Sequence, residues 1–221
     1  MKKLIRGIVD FRKNAQPGYR EKFAHLALGQ APDALFIACS DSRVVPNAFA
    51  SADPGDLFVI RNIGNIIAPA DKSGVSASDE SEGAAIEFSV LKLNVRDIIV
   101  CGHSECGAMQ AALGGDVPEH YSHLRSWLRH ANVALERHRA GHAPDRSLKP
   151  HNQLSQLNSL SQREHLMTYP AVRDAVAAGR LRLHAWWFDI TGADVYAYDD
   201  ALGRFVLIDE RSAAALLKKL D

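Results

Sequence analysis

Short apolar runs alternate along this chain with longer segments in which apolar residues recur at helical spacing. Three such runs lie within residues 34–39, 57–61 and 97–101. Runs of this length are typical of strands buried on both faces of a parallel sheet. Strands that alternate with helical segments predict an α/β fold with a mostly parallel central sheet flanked by helices.

The rest of the pattern predicts further helices and a late pair of strands. Residues 2–28 have helical spacing that Pro17 interrupts, and later helices are expected at 82–93, 107–113, 120–138, 151–168 and 211–220. Residues 181–188 and 193–198 are expected to form the strand pair. With no linker or repeat, we expect one domain over 1–221, with a helical arm at 1–28 and an α/β core at 29–221.

Charge and composition exclude several classes of function. Lys plus Arg equals Asp plus Glu at 26 each, so there is no general attraction to nucleic acid or to an anionic membrane surface. No apolar run is long enough to span a membrane, and early charges interrupt any signal-peptide core, so a cytoplasmic protein is expected. An odd count of three cysteines favours reduced thiols or metal ligands over disulfides.

Candidate chemistry lies directly after two of the predicted strands. Cys39-Ser-Asp-Ser-Arg43 follows the first run, and His103-Ser-Glu-Cys106-Gly107 follows the third. In open α/β sheets, sites form outside the carboxyl ends of the strands, so the two segments are expected to meet.

The combined residue set favours a catalytic zinc site. Thiolate and imidazole are ligands that zinc prefers, and three protein ligands leave a fourth position for water. Taken alone, Cys39 is also compatible with a small core residue, and His103 with Cys106 is compatible with a surface histidine beside a buried cysteine. Asp41 and Arg43 are spaced to form a bidentate pair that keeps the carboxylate ionised and aimed, although a purely structural ion pair remains an alternative.

These segments resemble those of the β-class carbonic anhydrases over nearly the whole chain. The resemblance rests on residues 39–43, 61–62, 64–65 and 102–107, with supporting matches at 29–32 and 54–58. It implies four parallel strands plus an edge strand, an N-terminal helix that embraces a partner subunit, and a homodimer or larger assembly such as a tetramer. It also implies one zinc ion per chain, held by Cys39, His103 and Cys106, with Asp41 and Arg43 as the catalytic pair.

The resemblance further implies a substrate pocket. Gln30 matches an amide that orients the substrate from the neighbouring chain, Phe58 and Ile63 match the apolar wall, and Gly107 matches a backbone amide near the substrate. Phe88 stands where plant-like members carry a pocket tyrosine. The bicarbonate-inhibited subtype carries a tryptophan and a tyrosine where this chain has Phe36 and Phe188, although Arg61 is retained. We therefore expect the plant-like subtype, without a non-catalytic bicarbonate pocket.

The expected activity is the reversible hydration of carbon dioxide to bicarbonate and a proton by a zinc-bound hydroxide. A hydrolase of carbonyl sulfide or carbon disulfide on the same zinc fold is one alternative. A non-enzymatic, zinc-stabilised binding or redox protein using Cys39, Cys101 and Cys106 is another. No residue is identified as the proton shuttle.

Overall fold

A six-stranded sheet forms the centre of the computed structural model, which describes residues 1–218. The strands are arranged in the order β2-β1-β3-β4-β5-β6. Their bounds are β1 Ala34–Cys39, β2 Leu57–Asn62, β3 Asp97–His103, β4 Arg182–Asp189, β5 Asp194–Asp199 and β6 Arg204–Leu207. The first four pair in parallel, and β5 and β6 are antiparallel additions at one edge. The predicted α/β class with a mostly parallel sheet is confirmed.

The sheet has one strand more than the expected four plus one. The additional strand is β6, which pairs with β5 from Tyr196 opposite Leu207 to Asp199 opposite Arg204. Four residues are too few to show a strand period, so β6 is defined by its pairing and not by its own sequence.

The described residues also form ten α-helices. Their bounds are α1 Lys2–Asn14, α2 Gln16–Leu26, α3 Pro46–Phe49, α4 Glu80–Glu87, α5 Gly107–Gly114, α6 Ser122–Leu128, α7 Asn132–Arg139, α8 Pro150–Leu166, α9 Pro170–Ala177 and α10 Glu210–Leu217. The helix expected at 120–138 is divided into α6 and α7 by a 3₁₀ turn, and α9 was not expected. Residues 219–220 of the predicted last helix lie outside the described part.

Apolar residues cover both faces of the central strands, as the continuous runs predict. Leu35 and Ile37 of β1 pack in one cluster with residues of α4 and α9, whereas Phe36 packs in another on the opposite face. A third cluster joins α5 and α8 beside the end of β1. Every residue of β1 is buried, so the strand has little freedom to move the segment that follows it.

The two N-terminal helices bury none of their residues. The exposed apolar side chains of α1 are Leu4, Ile5, Ile8, Val9 and Phe11, with Ile8 67% exposed. Such a contiguous apolar face marks an interaction surface. No described helix is long and apolar enough to cross a membrane. The division into an arm of 1–28 and a core of 29–221 stays a prediction.

Candidate metal centre

Two neighbouring strands and one helix bring Cys39, His103 and Cys106 together. Cys39 ends β1, His103 ends the adjacent β3, and Cys106 is the residue directly before α5. One ligand atom from each lies within 4.8 Å of the others, and all three residues are buried. The expected meeting of the two motifs at the carboxyl ends of the strands is therefore observed.

The imidazole of His103 fits a metal ligand. Its Nδ1 lies 2.8 Å from the backbone oxygen of Ser104, and because a carbonyl can only accept, Nδ1 carries the proton. Its Nε2 is buried and has no hydrogen-bond partner among the described residues. A buried acceptor without a partner is costly, and coordination to a metal would satisfy its lone pair.

The two sulfur atoms are also prepared as ligands. The Gly64 amide donates to Cys39 Sγ at 3.3 Å, and the amides of Ala108 and Met109 in α5 favour the Cys106 thiolate. The hydrogen bond between the sulfurs lowers the pKa of Cys39 and raises that of Cys106. Two thiolates and one imidazole suit zinc, and within the described residues the cluster contains three such groups, which leaves a position for water.

Asp41 and Arg43 form the predicted bidentate pair beside the cluster. Arg43 Nε donates to Asp41 Oδ1 at 2.9 Å, and Nη2 donates to Oδ2 at 2.7 Å. These bonds hold the pKa of Asp41 well below its usual range, so the carboxylate is ionised at neutral pH.

Arg61 braces the backbone that carries this pair. Its Nε and Nη2 donate to the Cys39 carbonyl at 3.1 and 2.9 Å, and Nη2 also donates to the Asp41 carbonyl at 2.6 Å. The guanidinium is therefore engaged by the chain's own backbone at the turn between Cys39 and Asp41.

A buried carboxyl group that sequence reasoning missed holds the loop after β2. The Asn62 side chain accepts from the Ile66 amide at 2.9 Å and donates to the Ile66 carbonyl and to Glu82. Glu82 is only 3% exposed, and this burial raises its pKa to about 8. A lone glutamate in a helical pattern is normally solvated, so no local signal indicated this role.

Two of the predicted substrate residues lie near the cluster. Ile63 follows β2 directly after Asn62, the register partner of Cys39, and Gly107 follows Cys106 as the first residue of α5. Ile63 and Ser40 line a cavity of about 600 Å³ together with Trp127, which sequence reasoning also missed. The Trp127 indole donates to the Ile63 carbonyl at 2.8 Å and fixes the loop from the outside.

The other three predicted substrate residues lie towards the opposite end of the strands. Gln30 precedes β1, and β1 spans about 16 Å from Ala34 to Cys39. Phe58 pairs in register with Leu35, about 13 Å along the strand from Asn62. Its ring lies 5.9 Å from that of Phe88, which is 44% exposed. One chain therefore does not bring these three residues to its own metal cluster.

Aromatic rings fill the space on the other face of β1. Phe36 is fully buried, and its ring lies 6.0 Å from that of Phe49 and 5.9 Å from that of Trp186. Phe49 stacks on Phe188 at 4.6 Å. Phe36 and Phe188, the two positions on which the predicted subtype depends, are thus packed against aromatic rings and offer no hydrogen-bond donor of their own.

Comparison with known proteins decides the family. Residues 34–195 match the family described as carbonic anhydrase. A carbonic anhydrase of Pseudomonas aeruginosa is 40% identical over 210 residues, which cover 95% of this chain and 93% of the relative. The chain belongs to the β-class carbonic anhydrase family. It is accordingly an enzyme of the carbonic anhydrase type.

Solved β-carbonic anhydrases share the fold over nearly the whole chain. The structure of the β-carbonic anhydrase CcaA superposes with a TM-score of 0.86 at 38% identity and covers 96% of this chain and 93% of its own. A structure described among two tetrameric β-carbonic anhydrases of Sordaria macrospora gives 0.72 at 31% identity, covering 94% and 98%. β-Carbonic anhydrases are zinc enzymes, and the Cys39, His103 and Cys106 cluster could hold such an ion.

Proposed function

We propose that this carbonic anhydrase hydrates carbon dioxide reversibly at one zinc ion per chain, held by Cys39, His103 and Cys106. The observation that carries the proposal is the His103 imidazole, whose buried Nε2 lacks a hydrogen-bond partner within the described residues and whose ring belongs to the same cluster as two cysteine sulfurs. A core histidine without a metal would be expected to satisfy both ring nitrogens.

Zinc bound there would supply a Lewis acid that lets water lose a proton near neutral pH. The protein supplies the orientation. Asp41 is kept ionised by Arg43 and is a hydrogen-bond acceptor beside the ligands. A water at the metal position would be oriented by donating a hydrogen bond to this carboxylate. Arg61 prevents the Asp41 backbone from turning away.

The substrate pocket in this proposal is shared between two chains. Ile63 and Gly107 contribute from the chain that holds the metal, whereas Gln30, Phe58 and Phe88 contribute from a second copy. The proposal is supported by the position of these three residues towards the far end of the strands and by the exposure of Phe88 and the apolar α1 face. A homodimer is the smallest assembly that completes the pocket, and a tetramer is consistent with the Sordaria macrospora relatives. The cytoplasmic location stays a prediction.

The plant-like subtype, without a second bicarbonate site, is part of the proposal. Burying a bicarbonate ion requires donors that replace its water, and each unmatched acceptor costs roughly 1–3 kcal/mol. Phe36 and Phe188 offer none, and the Arg61 guanidinium is already engaged by the carbonyls of Cys39 and Asp41.

Stopped-flow hydration of carbon dioxide together with metal analysis tests the activity. We expect about one zinc per chain and hydration that is lost on chelation and restored by zinc. Absence of hydration by the zinc-loaded protein, with turnover of carbonyl sulfide or carbon disulfide, would replace the proposed substrate.

A bicarbonate titration of the hydration rate near pH 7.5 tests the subtype separately. We expect only gradual product inhibition. A steep sigmoidal loss of activity at millimolar bicarbonate would contradict the absence of the second site.

A further inference from the structure

The loop between two of the metal ligands contains one residue in an unusual backbone conformation. Glu105 lies between His103 and Cys106 and has a φ of 54°, in the left-handed region that side chains other than glycine seldom adopt. Such a conformation persists only when surrounding contacts determine it. The contacts of Glu105 therefore show which residues keep the loop in this conformation.

Asn152, in the first turn of α8, holds Glu105 at two points. Its Oδ1 accepts from the Glu105 backbone amide at 2.8 Å, and its Nδ2 donates to the Glu105 carboxylate at 3.3 Å. Asn152 is 7% exposed, so little water is available to replace either bond. Lys149 and His151 contact the same carboxylate at 2.9 and 3.1 Å and close the group from the solvent side.

The carbonyl of Glu105 carries this constraint to the catalytic pair. Arg43 Nη2 donates to it at 3.1 Å, and the same nitrogen donates to Asp41 Oδ2 at 2.7 Å. The φ and ψ angles of Glu105 set the direction of its carbonyl, so a contact that fixes those angles also fixes the acceptor for Arg43. The Arg43 side chain is 49% exposed, and among the described residues Glu105 is its one hydrogen-bond partner besides Asp41.

We propose that Asn152 is a positioning residue for the Asp41–Arg43 pair and acts through the left-handed backbone of Glu105. The inference rests on the proposed catalytic role of that pair. Asn152 touches neither the metal ligands' side-chain atoms nor the carboxylate of Asp41; it determines where the guanidinium is anchored, and the guanidinium determines where the carboxylate points.

Replacement of Asn152 tests the proposal, with a neighbouring amide as control. Asn152→Ala should lower kcat on the order of tenfold, because small misplacements of a catalytic group are costly, while KM and zinc content stay near those of the wild type. Gln153→Ala removes an amide from the same turn that bonds the Leu148 carbonyl instead, and its kcat should be unchanged.

A paired substitution separates positioning from folding. Asn152→Asp keeps the acceptor for the Glu105 amide but sets a carboxylate against a carboxylate, so kcat should fall. Adding Glu105→Gln to Asn152→Asp restores a donor between the two side chains, and kcat should recover at least severalfold. No recovery in the double variant would overturn the proposal, even if Asn152→Ala fails to fold.

Proton exchange at the arginine side chains gives a readout that does not depend on activity. The Arg43 Nε–H bonds Asp41 Oδ1, and its exchange, followed by NMR, should accelerate severalfold in Asn152→Ala, whereas the Arg61 Nε–H, which bonds the Cys39 carbonyl, should not change. If Asn152→Ala has the kcat of the wild type and the exchange rate of its Arg43 Nε–H is unchanged, the inference is overturned. A wild-type protein that does not hydrate carbon dioxide would instead contradict the proposed function. The exchange rates would still show whether Asn152 anchors Arg43 through Glu105.

Discussion

The two ends of the parallel strands differ in how far their functional candidates are buried and paired within one chain. At the carboxyl ends, Cys39, His103 and Cys106 are buried, and the neighbouring charges of Asp41 and Arg43 are paired. At the amino ends, Gln30 lies in an exposed loop and Phe88 is 44% exposed, and the N-terminal helix α1 buries none of its residues.

This contrast supports the proposal that two chains share the pocket. A metal site needs ligands fixed to within a few tenths of an ångström, and one well-packed sheet can supply that precision. A pocket for a small apolar gas needs enclosing walls, which a second copy can provide by covering surface that would otherwise stay exposed.

Removal of a metal ligand should have the largest effect. Cys39→Ala, His103→Ala and Cys106→Ala should each lose zinc and hydration activity together, because two remaining ligands hold the ion weakly. Metal analysis of the purified variants measures this. Cys101→Ala is the matched control, since Cys101 is a buried cysteine outside the cluster and its variant should keep zinc. Full zinc retention in any two ligand variants would disprove the triad.

Removal of the Asp41 charge should reduce turnover without removing the metal. Asp41→Asn keeps the shape of the side chain but removes the carboxylate that pairs Arg43, and kcat should fall on the order of a hundredfold or more. Zinc content measured on the same sample should equal that of the wild type. Near-normal turnover would show that the pair is structural.

Subunit complementation tests the amino end of the strands. Gln30→Ala should lower activity on the order of tenfold by removing a substrate-orienting amide, and Cys39→Ala should be inactive. Co-expressed as a mixed assembly, the two should recover activity above either parent, because the Cys39→Ala chain still supplies Gln30 to its neighbour's intact metal cluster.

The opposite outcome is equally specific. If Gln30 acts within its own chain, the mixture will show only the average of the two parents. Sedimentation that finds a fully active monomer at assay concentration would likewise contradict the shared pocket.

The smallest effect concerns pH and the buried Glu82. Burial raises its pKa to about 8, so the folded protein keeps a proton that the unfolded chain releases near pH 4.5. Its contribution to stability is therefore fully present below about pH 4.5 and is lost as the pH rises towards about 8. Glu82→Gln does not titrate in this range and is the control. Between about pH 4.5 and 8, the melting temperature of the wild type should fall by several degrees more than that of Glu82→Gln, roughly the shift expected for a chain of this size. Parallel pH profiles would contradict a neutral Glu82.

Local patterns were sufficient to predict much of the fold and of the metal cluster. The apolar run ending at Cys39 predicted a buried strand, and the run ending at Cys101 predicted another, which the structure places beside the first. Since parallel strands end at one edge of a sheet, Cys39 and His103 had to approach each other. The spacing of Asp41 and Arg43 within one turn similarly predicted their pairing, which the structure contains.

What the tertiary structure alone decided involves residues far apart in the chain. The bond between Asn62 and Glu82 crosses 20 residues, and that between Glu105 and Asn152 crosses 47. Neither leaves a periodic signal, because each depends on how helices pack against the ends of strands. The placement of Phe58 and Phe88 far from Cys39 was likewise hidden, since a motif gives the identity of a residue but not its distance from the other motifs.

The amino-acid sequence was thus sufficient to predict the Cys-His-Cys set, the charged pair and the first five strands, because these depend on side-chain chemistry and on local spacing. The tertiary structure decided how that chemistry is held, through the side-chain amides of Asn62 and Asn152, and it decided that Phe58 lies far along the strand from Cys39. The physical reason is that hydrogen-bond partners and burial are properties of the packed chain, and residues distant in sequence acquire them only when the sheet and its helices assemble.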